Sequence, residues 1–196
     1  THIYKDTGTY DAKLYVYKPT FDGCSNYDSA FVTISVYSPP IAKLSHGNIC
    51  DSSVVLFSDV SKIPSTEERL TTIWNIEDSP TKYAKNVSYY FDTIRKVPIR
   101  MEVVTKNQCR DTLYDTLQVN PTPKADFSSN DVCYSDTSFL ISTSTISSGV
   151  IDNYIWEFPD SEGSSDPSTK YYLKDSGSYV ITLTVVSDSG CSDLVS

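Results

Sequence analysis

The chain has 196 residues, with 16 Lys and Arg against 25 Asp and Glu, a net charge of −9 and a pI near 4.6. No basic cluster interrupts that acidity, which argues against nucleic acid or an anionic membrane surface as a partner. No apolar run approaches the roughly 20 residues of a spanning helix, so membrane insertion of this segment is not expected.

Taken in chain order, Tyr10, Ala12, Leu14 and Val16 alternate with other positions, and Ala30, Val32, Ile34 and Val36 do the same. A period of two predicts half-buried strands in antiparallel sheets. It turns Leu14 and Val16 inward and Tyr15 and Tyr17 outward, making the fifteen tyrosines candidates for a sticky surface. Ser38-Pro39-Pro40 and Asn120-Pro121-Thr122-Pro123 read as short, stiff, extended linkers. Ser65-Thr66-Glu67-Glu68 resembles a helix capping box. Ile73-Trp74 nevertheless matches Ile155-Trp156 on a predicted strand, so no more than one helical turn is expected before Leu70.

Self-comparison shows why the same grammar returns. Pro40 and Pro123, like Cys50 and Cys133, stand 83 residues apart, and Trp74 and Trp156 stand 82 apart. Tyr10–Val16, Val97–Val103 and Tyr179–Val185 align with one another, and Gly8 and Gly177 each stand two residues before the tyrosine, where the middle copy has Arg95. Such a period marks a tandem array. The expected division is 1–38 as the back half of a unit, 39–121 as a complete unit and 122–196 as a unit lacking its last strand, all from a longer protein. Short strands without helices, in units of this size, indicate an all-β fold of tandem immunoglobulin-like β-sandwiches in an extended rod.

The cysteines are Cys24, Cys50, Cys109, Cys133 and Cys191. Cys50 and Cys133 stand near the front of their units, Cys109 and Cys191 near the end, and Cys24 in the late position of the first. Of the three connectivities open to four cysteines, only Cys50–Cys109 with Cys133–Cys191 keeps each bond inside a repeat. That pairing is the expectation, with Cys24 unpaired within this segment. The alternative is five reduced thiols in a cytosolic protein. Small β units with repeat-matched cysteines favour an oxidising compartment.

Trp156-Glu157-Phe158-Pro159-Asp160, followed by Gly177-Ser178-Tyr179-Val180-Ile181-Thr182-Leu183-Thr184-Val185, resembles the polycystic-kidney-disease (PKD) domain, an immunoglobulin-like sandwich. His2-Ile3-Tyr4 before Gly8 and Tyr10 matches the family pattern as well, while Trp74-Asn75-Ile76-Glu77-Asp78 is a more diverged copy. The core signature is therefore Trp74, Trp156, Gly8, Tyr10, Gly177 and Tyr179. The added cysteines and the closing Gly190-Cys191-Ser192-Asp193 resemble PKD repeats of giant Bacteroidota surface proteins, including gliding-motility adhesins exported by type IX secretion. The resemblance implies an extracellular, cell-surface adhesin segment. Its partners would be neighbouring repeats of the same chain, and surface polysaccharide or the secretion and motility machinery. The alternative is an accessory module of a secreted polysaccharide- or protein-degrading enzyme.

Little in the sequence suggests chemistry. Nucleophile-elbow, zinc-protease and phosphate-loop motifs are lacking, and the only histidines, His2 and His46, fall in different repeat phases. No catalytic, cofactor or metal residues are expected. Asp78 and Asp160 read as turn formers rather than acids or calcium ligands. The triplets at Ser29, Thr93, Thr112 and Thr116, each an Asp then Ser or Thr then an apolar residue, resemble the Bacteroidota O-glycosylation sequence. Alternation places Ser29, Thr112 and Thr116 on outward faces.

Overall fold

The structure, a computed structural model, describes residues 1–18, 26–160 and 162–196, and the described residues form strands and turns without a helix. The strand β1 (Gly8–Lys18) pairs antiparallel with β2 (Asn26–Val36) in a two-stranded sheet. Their register sets Tyr10, Ala12, Leu14 and Val16 opposite Ile34, Val32, Ala30 and Asp28 on one face. Leu14 and Val16, expected inward, are instead exposed together with Tyr15 and Tyr17. The alternation is present, but among the described residues no second sheet covers the apolar face of this hairpin.

The middle unit builds that second layer. Its strands are β3 (Leu44–His46), β4 (Ser53–Asp59), β5 (Arg69–Ile76), β6 (Lys82–Tyr83), β7 (Asn86–Phe91), β8 (Lys96–Thr105) and β9 (Arg110–Gln118). They lie in two antiparallel sheets ordered β3-β4-β7 and β6-β5-β8-β9. Inward residues of both sheets share one core: Val55, Phe57, Val87 and Phe91 from the first, and Trp74, Ile76, Val97, Ile99, Met101, Val103 and Leu117 from the second. This is a β-sandwich, whose two inner faces interdigitate. Before Leu70 the chain makes only a turn, with the Glu67 N–H donating to the Pro64 carbonyl.

The last unit repeats the plan with β10 (Phe127–Ser129), β11 (Thr137–Ser142), β12 (Ile151–Glu157), β13 (Gly163–Ser164), β14 (Ser168–Tyr172), β15 (Thr182–Ser187) and β16 (Ser192–Val195). Its sheets run β10-β11-β14 and β13-β12-β15-β16. β16 occupies the place of β9, in shortened form. The correspondence extends to irregularities. A register shift falls at Arg69/Thr71 and again at Ile151/Asn153. The isolated bridge Ile41–Lys62 returns as Lys124–Thr145.

The second linker is not a free tether. Pro121 and Pro123 are buried, and Asn120 pairs with Cys50 in a parallel bridge. The Asn120 N–H donates to the Ile49 carbonyl, the Asp51 N–H to the Asn120 carbonyl, and the Thr122 N–H to the Asp51 carboxylate at 2.6 Å.

Candidate functional site

The cysteines do not pair as expected. Cys50 is bonded to Cys191, across 141 residues and between two units, while Cys109 and Cys133 are free thiols. Strand length explains the correction. Cys109 immediately precedes β9, whereas Cys50 bridges Asn120 just beyond its other end. Eleven residues of extended chain separate those points by roughly 35 Å, far beyond the ~7 Å between Cα atoms that a disulfide spans. Cys50 and Cys109 sit at opposite poles of one sandwich, and by the same topology so do Cys133 and Cys191. Cys24 lies outside the described residues.

At the junction Cys191 is 1% exposed and Cys50 8%. Beside the bond, Asn48 Nδ2 donates to the Gly190 carbonyl at 2.7 Å. Gly190 has a φ of +79°, and a Cβ there would lie 2.4 Å from Asn48 Nδ2, so the close approach and the left-handed backbone both require glycine.

Each unit also carries internal ties that follow the repeat. Trp74 and Trp156 are 1% exposed, and their indole N–H groups donate to the carbonyls of Ala84 and Asp166. Asp111 accepts the Ala42 N–H at 2.7 Å, and Asp193 accepts the Ala125 N–H at 2.8 Å. These carboxylates clamp the first segment of each unit to its last strand. Sequence reasoning did not assign this role, although an Asp two residues after each late cysteine was its signal. The Tyr10 hydroxyl donates to the Asp6 carbonyl, and the Tyr179 hydroxyl to that of Asp175, four residues back in each case.

Where the middle copy lacks that tyrosine, Arg95 substitutes. It grips Glu77 with Nε and Nη2 at 2.8 and 2.9 Å and reaches Asp92 and Thr93 with Nη1. The Arg95 hydrogen bonds hold the Glu77 carboxyl below its ordinary range despite partial burial. On the outer face of the same sheet, Arg110 and Arg100 flank Glu102; Arg110 contributes most to lowering its pKa, against burial.

His46 Nδ1 contacts the Gly47 carbonyl, and His2 packs edge-on to Tyr4. Asp160 accepts the Glu162 N–H and pairs with Lys174 at 3.4 Å, a turn role. Burial opposes the lowering of its pKa, and the Glu162 N–H and Lys174 outweigh it. Among the described residues no three His, Cys, Asp or Glu side chains gather to hold a metal.

Of the glycosylation candidates, Ser29, Thr93 and Thr116 are exposed and Thr112 is half-buried opposite Glu102. The Asp of the triplet accepts the N–H of the next residue at Ser29, Thr112 and Thr116. The Thr93 hydroxyl accepts from Arg95 at 2.7 Å. Ser29 shares its face of the β1–β2 hairpin with exposed Tyr15, Tyr17, Tyr27 and Phe31. Tyr15 and Tyr17 stack at 6.4 Å, and Tyr17 meets Tyr27 at 6.1 Å.

A PKD domain family model matches residues 118–196. Among solved structures, the PKD1 domain of the Vibrio cholerae metalloprotease PrtV aligns with 42% of this chain and 98% of its own, at 15% identity and a TM-score of 0.38. Fibronectin(III)-like modules of Clostridium thermocellum CbhA align with 76% of this chain and 88% of their own, at 14% identity and a TM-score of 0.44. No curated protein matches the chain.

Proposed function

Proceeding from a PKD-type domain over residues 118–196, we propose that this chain is a non-catalytic, extracellular repeat segment of a large bacterial cell-surface adhesin. It serves as stalk or adhesive filament in surface attachment and gliding. The observation that carries this reading is the Cys50–Cys191 bond, which joins one sandwich covalently to its neighbour. A bond of that kind adds nothing to a reaction, but it fixes adjacent units of an array against each other. It also fits an oxidising compartment, as a secreted protein meets. The aromatic face of the β1–β2 hairpin offers rigid rings for stacking on sugar or protein surfaces. Glycans on Ser29, Thr93, Thr112 or Thr116 would decorate the outer faces.

Deleting this segment in frame from its gene in the native host tests the proposal. Attachment and spreading on a surface are expected to fall while secreted hydrolase activity is retained. Unchanged attachment with lost hydrolysis would instead establish an accessory module of a degradative enzyme. Intact mass spectrometry of the native protein tests the decoration, for which a mass above that of the bare polypeptide is expected.

A further inference from the structure

We propose that the Cys50–Cys191 bond is one link of a series: the front cysteine of each repeat bonds the late cysteine of the repeat that follows. Cys133 is then the attachment site for a following copy of this repeat, and Cys109 the attachment site for a preceding one. This rests on the chain being part of a longer array, and it is independent of what that array adheres to.

The free thiols are held in the same local structures as the bonded ones. After Cys50 the chain turns through Ser52 at a φ of 55°, and after Cys133 it turns through Ser135 at 63°. In both turns the residue three positions on donates to the cysteine carbonyl, Ser53 through its hydroxyl and Asp136 through its N–H. The late cysteines match as closely. The Thr105 N–H donates to the Cys109 carbonyl as the Ser187 N–H does to that of Cys191. The Cys109 N–H donates to the Thr105 hydroxyl, and the Cys191 N–H to the Ser187 hydroxyl. Gln108 at a φ of 66° stands where Gly190 has 79°.

What differs is cover. Cys50 is buried by the hairpin turn of the next unit, whereas Cys133, on an equivalent turn, is exposed. The unfilled position at Cys133 therefore fits a second hairpin turn of the Ser187–Cys191 kind. The neighbouring contact changes, since Asp131 replaces Asn48 and cannot donate to a carbonyl as Asn48 does.

The reaction is thiol–disulfide exchange with a small-molecule disulfide such as glutathione disulfide. The Cys133 thiolate attacks one sulfur, forming a mixed disulfide and releasing one thiol. The late cysteine of the following repeat, as thiolate, then attacks Cys133 Sγ and releases the second thiol. Two protein thiols are oxidised, the donor disulfide is reduced to two thiols, and the two protons given up by the protein thiols end on the two released thiolates.

Ser196 corresponds to Tyr114, 82 residues earlier. A chain in which 115–196 is repeated after Ser196, with Cys133→Ser in the added copy only, therefore extends the array by one unit in register and holds a single Cys133. It is oxidised with glutathione disulfide, alkylated and digested without reduction. The expected map links Cys50 to the first Cys191 and Cys133 to the second, whereas in the 196-residue chain Cys133 is recovered alkylated or carrying glutathione. A Cys133 bonded to the first Cys191, or still alkylated beside an intact Cys50–Cys191 bond, overturns the proposal. Cys50→Ser in the 196-residue chain is a second test that needs no added unit. Both Cys133 and Cys191 are expected to stay alkylatable in it, and a bond between them overturns the series. Loss of adhesion in the deletion experiment leaves both bond maps unchanged, so the two readings fail separately.

Discussion

The middle and last units have the same sheets in the same order, yet they are held together differently. The middle unit has the larger buried core, from Ile49 to Val119, and a dense set of ion pairs: Arg69–Asp59, Arg95–Glu77, and Arg100 and Arg110 around Glu102. The last unit buries fewer apolar residues, from Ala125 to Val185 with Trp156 central, and its charged side chains pair at Lys174–Asp160 on the surface. Shared by both are the buried Trp with its carbonyl partner, the Asp clamp and the hairpin turn carrying the late cysteine. The difference teaches which features specify the sandwich and which merely stabilise one copy of it: Arg95 can replace a tyrosine corner, but neither unit replaces its Trp.

The sharpest test of that division is Trp156→Ala against Trp74→Ala. Each should cost about 3–5 kcal/mol, as large-to-small changes in a core do. The smaller core leaves the last unit less margin, so Trp156→Ala should unfold it while Trp74→Ala leaves a weakened but folded middle unit. The one remaining Trp in each variant reports the other unit by fluorescence, and limited proteolysis reports the mutated one. Next come Asp111→Ala and Asp193→Ala. Each leaves an alanine N–H without its charged acceptor and should cost about 1–3 kcal/mol by denaturant unfolding. Clearly unequal costs would break the idea of a shared clamp.

Glu77→Gln sharpens the contrast at about 1 kcal/mol, allowing for the partial exposure of the pair. The folded-state pKa of Glu77 lies below its ordinary 4.5 because of Arg95. Its contribution is therefore complete above that value and is lost as pH falls through the depressed one. Acid titration should weaken the wild-type middle unit in that window, and Glu77→Gln should flatten the dependence. The smallest effect belongs to Tyr179→Phe, which removes the hydroxyl bond to Asp175 and should cost the last unit about 0.5 kcal/mol.

Strands, repeat and buried tryptophans were legible in the sequence because each is a local pattern tied directly to burial. The tyrosine corner was visible only as Gly-x-Tyr spacing, since its partner is a backbone carbonyl that carries no residue identity. The disulfide was not legible, for a physical reason. Repeat equivalence says that Cys50 and Cys133 play one role and Cys109 and Cys191 another. It is blind to whether those roles meet within a copy or between copies. Deciding that needs the pole on which each turn lies, which depends on strand length and sheet order together. Leu14 and Val16 show the converse limit: alternation names the apolar face but not whether a second sheet covers it.

The parallel bridge between Cys50 and Asn120, with the bond from Cys50 to Cys191, has a mechanical consequence. Pull on the chain at Pro40 and at Ser196, and tension runs through residues 40–50, crosses the disulfide and leaves through 191–196. The residues between the two cysteines, 51–190, form a closed loop outside that path. Fully drawn out they would measure roughly 480 Å, yet none of that length can be surrendered while the bond holds. Two sandwiches whose hydrogen bonds would yield one by one under force thus behave, along the direction of pull, as a short covalent tether.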